Sequence, residues 1–386
     1  MPVTRRSPVS TARKLGNGTF PDLSLPVPIP VPPMEAMRAD RIPDGDEWQF
    51  EPKWDGFRCL VFRHGSVVAL QSKSGQPLTR YFPELVSAFL SLPSRAFVLD
   101  GEIVVFHDGR LSFDDLLLRI HPAASRVAKL AKDTPASFVA FDLLCDSPKG
   151  SPLMTRPLIE RRKHLEQFFS SMPSDLIQLS PVTKDRTIAS RWFTDMGTYG
   201  LDGIMAKKIH EPYHSGDREA MIKVKHVKTA DCVVGGFRYS STRAKTDTPT
   251  HTSAHTVGSL LLGLHDTNDL LHFVGFTSSF RRENRAQLKQ VIEPLKGGAG
   301  FSGKAPGGPN RWSQRQSDDW ERLDPVLVCE IRYDYFSQGR FRHGTTFLRW
   351  RPEKDPRQCT LDQVEGELTG SGTILNTFRE RTADKD

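Results

Sequence analysis

The longest apolar runs of this chain, such as residues 260–264 and 326–329, are only as long as a β-strand. A membrane-spanning helix needs about 18 or more consecutive apolar residues, so no membrane association is expected. Short apolar runs separated by turn residues predict many short strands with a few helices among them. Residues 51–62 and 66–71 read as two strands joined by a turn at 63–65, and 97–107, 137–144, 203–207 and 220–225 as further strands. Helical periods cover 83–90, 113–130 with a break at Pro122, 158–169 with one heavily charged face, and 188–199. This irregular alternation predicts an α+β domain with mixed, largely antiparallel sheets.

A second unit begins near Thr229. Strands at 232–239, 258–265, 270–277 and 326–336, with one helix at 281–295, suit a small C-terminal β-barrel of the OB-fold type. A length of 386 residues accommodates both units. The expected organisation is a basic, disordered arm at 1–24, a first domain at 25–228, the OB domain at 229–365 and a flexible tail at 366–386. Residues 240–256, with His251 and His255, read as a loop without a metal, and residues 228–230 as a hinge. The five cysteines (Cys59, Cys145, Cys232, Cys329 and Cys359) form no CxxC pair, and their number is odd. That argues against a disulfide framework and fits a reducing, cytoplasmic setting. With 53 Lys and Arg against 46 Asp and Glu, the net charge is +7. Such an excess hints at a polyanionic partner only once its location is known.

The segment Glu51-Pro52-Lys53-Trp54-Asp55-Gly56-Phe57-Arg58 carries the chemistry. A lysine attacks phosphorus only when neutral, and at a reference pKa near 10.4 about one in a thousand is neutral at pH 7.5. Neighbouring cations or a divalent metal lower that pKa, whereas a lone Asp55 raises it. Gly56 allows close approach of the backbone to a ligand, and Arg58 offers a planar fork for phosphate oxygens. Further pieces follow in order: Asp100-Gly101-Glu102 in a strand, Phe141 beside Asp142, Asp202 before an apolar strand ending at Lys207, and Lys223 and Lys225 on one strand face. Each piece alone reads as an exposed acid, a core aromatic or a solvated face; the ordered set does not.

The set resembles the covalent nucleotidyltransferase superfamily, and within it the ATP-dependent DNA ligases. Glu51, residues 71–75 (Gln71-Ser72-Lys73-Ser74-Gly75), residues 141–144, residues 229–236 and the basic run at 341–356 look most like the small bacterial LigC-type ligases. The resemblance implies a nucleotidyltransferase (adenylation) domain followed by an OB domain. It implies ATP and Mg²⁺ or Mn²⁺ as cofactors, and sealing of nicks in double-stranded DNA through a lysyl-AMP on Lys53, in repair or recombination. By the same resemblance Glu51 accepts from the adenine amino group, Phe141 stacks on adenine, and Glu102 contacts the ribose. Asp202, with Glu102, holds metal. Arg58 and Lys73 touch phosphate, and Lys223 and Lys225 contact the α-phosphate and depress the Lys53 pKa, with Asp55 beside it in the catalytic set. Arg349, Arg351 and Lys354 turn toward pyrophosphate. Asp202, Lys73 and Glu353 stand where the family more often has Glu, Arg and Asp. A monomer at the bacterial nucleoid is expected, aided by repair proteins, with the N-terminal arm adding DNA affinity. The alternatives are an RNA ligase or capping-type enzyme, disfavoured by Glu51 and the run at 341–356, and a non-catalytic DNA-binding OB protein, which would form no covalent AMP.

Overall fold

A computed structural model describes residues 20–149, 151–170, 174–195, 201–225, 228–240, 256–280, 284–307, 320–342 and 344–364. Most of the expected N-terminal arm, the C-terminal tail, and the loop carrying His251 and His255 lie outside the described residues. The chain forms two compact units that divide between His226 and Val227.

The first unit runs β1 (Met37–Ala39), β2 (Trp48–Pro52), β3 (Phe57–His64), β4 (Val67–Ser72), α1 (Pro83–Ser91), β5 (Ala96–His107), β6 (Arg110–Leu111), α2 (Phe113–Leu118), α3 (Ala124–Asp133), β7 (Ala136–Cys145), α4 (Leu158–Phe169), β8 (Ile177–Leu179), α5 (Arg186–Asp195), β9 (Gly203–Lys208) and β10 (Met221–Lys225). One sheet has the order β1-β10-β9-β2 and the other β4-β3-β5-β7-β8, with β6 beside β5. Among the described strands of this unit, only β1 with β10 and β7 with β8 pair in parallel. The expected mixed, largely antiparallel α+β architecture is present.

Three apolar clusters hold these layers. Phe89, Phe97 and Phe138 pack α1 against β5 and β7. Trp192 and Ala189 of α5 cover Phe50, Ile204 and Val224. The proline-rich segment before β1 buries Val27, Val31 and Met34 against Leu60 and Phe62. Gln71 pins that segment by donating to Val31 O at 2.6 Å and accepting from Val31 N at 2.9 Å.

One local expectation needs correction. The single strand read over 51–62 is two strands in different sheets, broken at residues 53–56. Pro52 lacks an N–H for further pairing, and Lys53 instead pairs through its backbone with the start of β9, donating to Gly203 O at 2.8 Å and accepting from Asp202 N at 3.1 Å. On the charged helix α4, Arg161 and Arg162 are buried. Gly56 has a packing role: a Cβ there would lie 2.1 Å from Ile103 O, so its bare backbone is needed for packing on β5.

The second unit runs β11 (Lys228–Tyr239), β12 (Val257–His265), β13 (Leu271–Thr277), α6 (Asn284–Ile292), β14 (Glu321–Arg322), β15 (Val328–Tyr333), β16 (Phe336–Ser337), β17 (Arg340–Phe341) and β18 (Thr346–Trp350). Its main sheet is antiparallel, in the order β13-β12-β11-β15-β18, with β14 on β11; β16 and β17 form a separate hairpin. A lone bridge between Thr277 and Thr345 brings the two edges of that sheet together, and Thr277 Oγ1 donates to Thr345 O at 3.0 Å. Residues 228–230, read as a hinge, are the first rungs of β11 opposite β15. All five cysteines are free and buried. Among the described residues no helix is long and apolar enough to cross a membrane.

Candidate active site

A cavity of 240 Å³ opens in the first unit, walled by β2, β9 and β10 of one sheet and β3, β5 and β7 of the other. Strand alternation aims its residues. Met221, Lys223 and Lys225 are two apart on β10, and across the sheet Lys223 stands opposite Met205, which stands opposite Glu51. On the other wall Arg58 pairs with Glu102. Phe141 is left out of the β5–β7 register, which steps from Asp100–Asp142 to Gly101–Ala140. Such a bulge re-aims a side chain, and the Phe141 ring lines the cavity.

Lys53 is the centre of the charge arrangement. Its Nζ lies 2.6 Å from Asp202 Oδ2, and Lys225 Nζ lies 2.8 Å from the same oxygen. Burial works against the charged amine, yet the charge and hydrogen bond of Asp202, followed by the charges of Glu102 and Asp55, outweigh it and hold Lys53 above its ordinary 10.5. The expectation that Lys223 and Lys225 depress Lys53 is therefore corrected: Lys225 is engaged with Asp202. The lysine held low is Lys223, by burial and then by Lys73, Lys225, Lys53 and Arg218. Burial opposes ionisation of Asp202 too, but Lys53 and Lys225 hold its carboxyl low. Burial pushes Glu102 up to about 7 against the opposing charges of Arg58 and Lys53.

These shifts carry signs. The raised Lys53 contributes stability below its unfolded pKa, which is lost as pH rises through the folded value; the lowered Asp202 contributes stability above its unfolded 3.8, lost as pH falls. Asp202→Asn is expected to move the pH midpoint for labelling of Lys53 by an amine-reactive reagent downward in metal-free protein. An unmoved midpoint would remove Asp202 as the cause.

Arg58 is not a loose phosphate fork here. It donates through Nε and Nη2 to the fully buried Asp100 at 2.5 and 2.6 Å, and Tyr213 Oη donates to Asp100 at 2.6 Å. The guanidinium lies 4.5 Å from the Phe141 ring centroid, as does Lys207 Nζ. Glu51 accepts from Lys207 and Gln49, each at 2.9 Å. Lys73, at the rim, is more than half exposed. Asp55 and Asp202 are not part of the cavity lining and act on it through Lys53. Arg349, Arg351 and Lys354 belong to the second unit, where Arg349 pairs with Glu330 at 2.7 Å, Arg351 with Asp231 at 2.9 Å and Glu353 at 2.5 Å, and Lys354 with Asp231 at 3.1 Å.

Sequence reasoning named Lys207 only as the end of a strand, and it missed Glu35 in the cavity lining and Tyr213, which holds Asp100 behind Arg58. Lys207 was signalled by alternation, since it shares a strand face with Met205. Tyr213 and Glu35 carry no local signal, because remote segments bring them in.

The arrangement offers an amine beside acids, five further cations and an aromatic face in one cleft, a combination suited to a purine nucleotide and its phosphates. Family comparison agrees. The ATP dependent DNA ligase domain model matches residues 33–225, and that of the ATP dependent DNA ligase C terminal region matches 253–354. DNA ligase C2 of Mycolicibacterium smegmatis is 42% identical over 361 residues, covering 89% of this chain and 96% of that protein. DNA ligase C of Mycobacterium tuberculosis is 40% identical over 368 residues, covering 90% and 98%. A solved structure from a study of Lig E DNA ligases shares the fold, with a TM-score of 0.51 at 15% identity, covering 82% of this chain and 99% of that one. Motif, geometry and relatives agree, and the chain belongs to the ATP-dependent DNA ligases, of the bacterial ligase C type.

Proposed function

We propose that the protein closes nicks in duplex DNA at the expense of ATP, with Lys53 as nucleophile. The observation that carries this is the Lys53 amine, set between Asp202 and a cavity wall that holds Phe141, Lys223 and Lys225. In the first step neutral Nζ attacks the α-phosphorus. An N–P bond forms, the P–O bond to pyrophosphate breaks, and the proton leaves Nζ. A 5′-phosphate oxygen of the DNA then displaces the lysine and takes AMP, and the neighbouring 3′-hydroxyl displaces AMP to join the strand.

Phe141 supplies a face for adenine, Glu51 an acceptor for its amino group, and Glu102 an acceptor for the ribose. Lys223, Lys225 and Lys73 offset phosphate charge as it moves, the main demand of this chemistry. Arg58, fixed by Asp100, presents its planar face beside Phe141. Among the described residues no three acid, histidine or cysteine side chains cluster as a metal cage. Asp202 and Glu102 nonetheless fit Mg²⁺ or Mn²⁺, which commonly take one or two carboxylates plus substrate phosphates. Those two residues would hold the ion, which when bound neutralises phosphate charge and competes with the lysines for Asp202.

In the second unit, the antiparallel strand order and the Thr277–Thr345 bridge support an OB-type barrel. Arg349, Arg351 and Lys354 would there exchange their present acids for pyrophosphate or DNA phosphates. We infer a monomer working on nicks in repair or recombination at the bacterial nucleoid, alongside repair proteins. The test is a nicked duplex with ATP and Mg²⁺. Joining is expected with a 5′-phosphate and not with a 5′-hydroxyl, and faster on DNA than on a nicked RNA duplex. Preference for RNA, or joining through many turnovers without ATP, would refute the reading.

A further inference from the structure

One acid stands among the cations at the mouth of this cavity, and the reaction sequence above gives it no task. Glu35 precedes β1, lines the cavity, and has a side chain only 17% exposed, against 59% for Arg218 and 57% for Lys73. Arg218 donates to its Oε2 from Nε at 2.8 Å and from Nη2 at 2.5 Å, while Lys73 Nζ lies 3.9 Å from Oε1. Each carboxylate oxygen therefore faces a cation. The backbone is held independently, with Glu35 N donating to Asp217 O at 2.7 Å and Met34 N to Tyr213 Oη at 2.9 Å. Lys223 feels Lys73 and Arg218 as repelling charges, so all three cations share one field.

A carboxylate in the path of a polyanion repels it. Ion pairs with partners this exposed contribute little to stability and exchange readily. A carboxylate and a phosphate present similar oxygen pairs to a guanidinium fork.

We propose that Glu35 is a built-in counter-anion: its carboxylate holds Arg218 and Lys73 at the mouth, and it competes with an incoming phosphate group for them. The inference rests on the DNA-ligase reading of the cavity. It gives Glu35 a task in turnover, because a phosphate that must displace a resident anion is held less tightly and released sooner. The phosphate has two sources, the pyrophosphate of the nucleotide and the 5′-phosphate at a strand break.

The test is calorimetric binding to the full chain, in wild type and Glu35→Gln, of inorganic pyrophosphate and of nicked duplexes bearing a 5′-phosphate or a 5′-hydroxyl. Glutamine keeps the size and the backbone bond while removing the charge. At least one of the two phosphate ligands is expected to bind about five- to tenfold tighter, and the one that tightens identifies the source. The 5′-hydroxyl duplex is expected to be unchanged, and the gain to shrink in an Arg218→Gln background. Equal or weaker phosphate binding by Glu35→Gln, an equal gain for the 5′-hydroxyl duplex, or a gain undiminished by Arg218→Gln would overturn the proposal. Failure of the ligase reading itself would show separately, as absence of AMP on Lys53 whatever stands at position 35.

Discussion

Replacing Lys53 by alanine is expected to abolish ATP-dependent strand joining, a loss on the order of 10⁴-fold or more, as when other enzymes lose their nucleophile. Lys53→Arg is expected to be equally inactive. A guanidinium stays protonated at any working pH and has no lone pair to offer phosphorus, although it keeps the charge that pairs with Asp202. The two substitutions therefore separate nucleophile from counterion: substantial activity in Lys53→Arg would leave the residue a purely electrostatic part. The last step does not use the amine as nucleophile, so Lys53→Ala supplied with a nick already carrying 5′-AMP is expected still to join it. Failure on that substrate would mean that the substitution had damaged more than the first step. Denaturing gels of a labelled strand read all of these.

The second large effect is on stability. Asp142 follows Phe141 in β7, and Arg161 of α4 donates to both its oxygens at 2.9 Å, with the side chains 2% and 1% exposed. Arg161 also reaches Arg156 O at 2.7 Å and Glu211 O at 3.2 Å, tying α4 and the segment after β9 to the strand that carries the aromatic face. Breaking one side of a buried pair leaves an uncompensated charge and costs about 3–5 kcal/mol. Asp142→Asn is thus expected to lower the melting temperature of the first unit by roughly 10 °C. Replacing both partners with Asp142→Leu and Arg161→Met is expected to restore much of that. A melting temperature within a degree or two of wild type for Asp142→Asn would show that water reaches the pair.

What could be read from the chain divides along physical lines. Strand-sized apolar runs located β5, β7, β10, β11, β12, β13 and β15; β5 and β7 are buried on nearly every residue, which leaves an uninterrupted apolar run, whereas the partly exposed β18 leaves none. The Lys53, Glu102, Phe141 and Lys223–Lys225 pieces converge on one cavity, as their order suggested. Phe141 depends on a bulge that no local pattern announces, because register is a property of two strands together. Arg58 looked like a free phosphate donor, yet Asp100 and Tyr213, 42 and 155 positions further along the chain, enclose it. Glu35 carries no local signal, and its pairing with Arg218 is what brings it to the mouth. The sign of the Lys53 shift was misjudged for the same reason: adjacent lysines are visible in sequence, whereas Asp202 placed 2.6 Å from the amine is not.

The central claim is that Lys53 Nζ carries AMP, and intact mass with peptide mapping after incubation with ATP and Mg²⁺ tests it most directly. One AMP per chain is predicted, on the peptide containing Lys53, stable to alkali and lost in acid as a P–N bond is, released by added pyrophosphate, and absent in Lys53→Ala. AMP on another residue, or label retained by Lys53→Ala, would contradict the account.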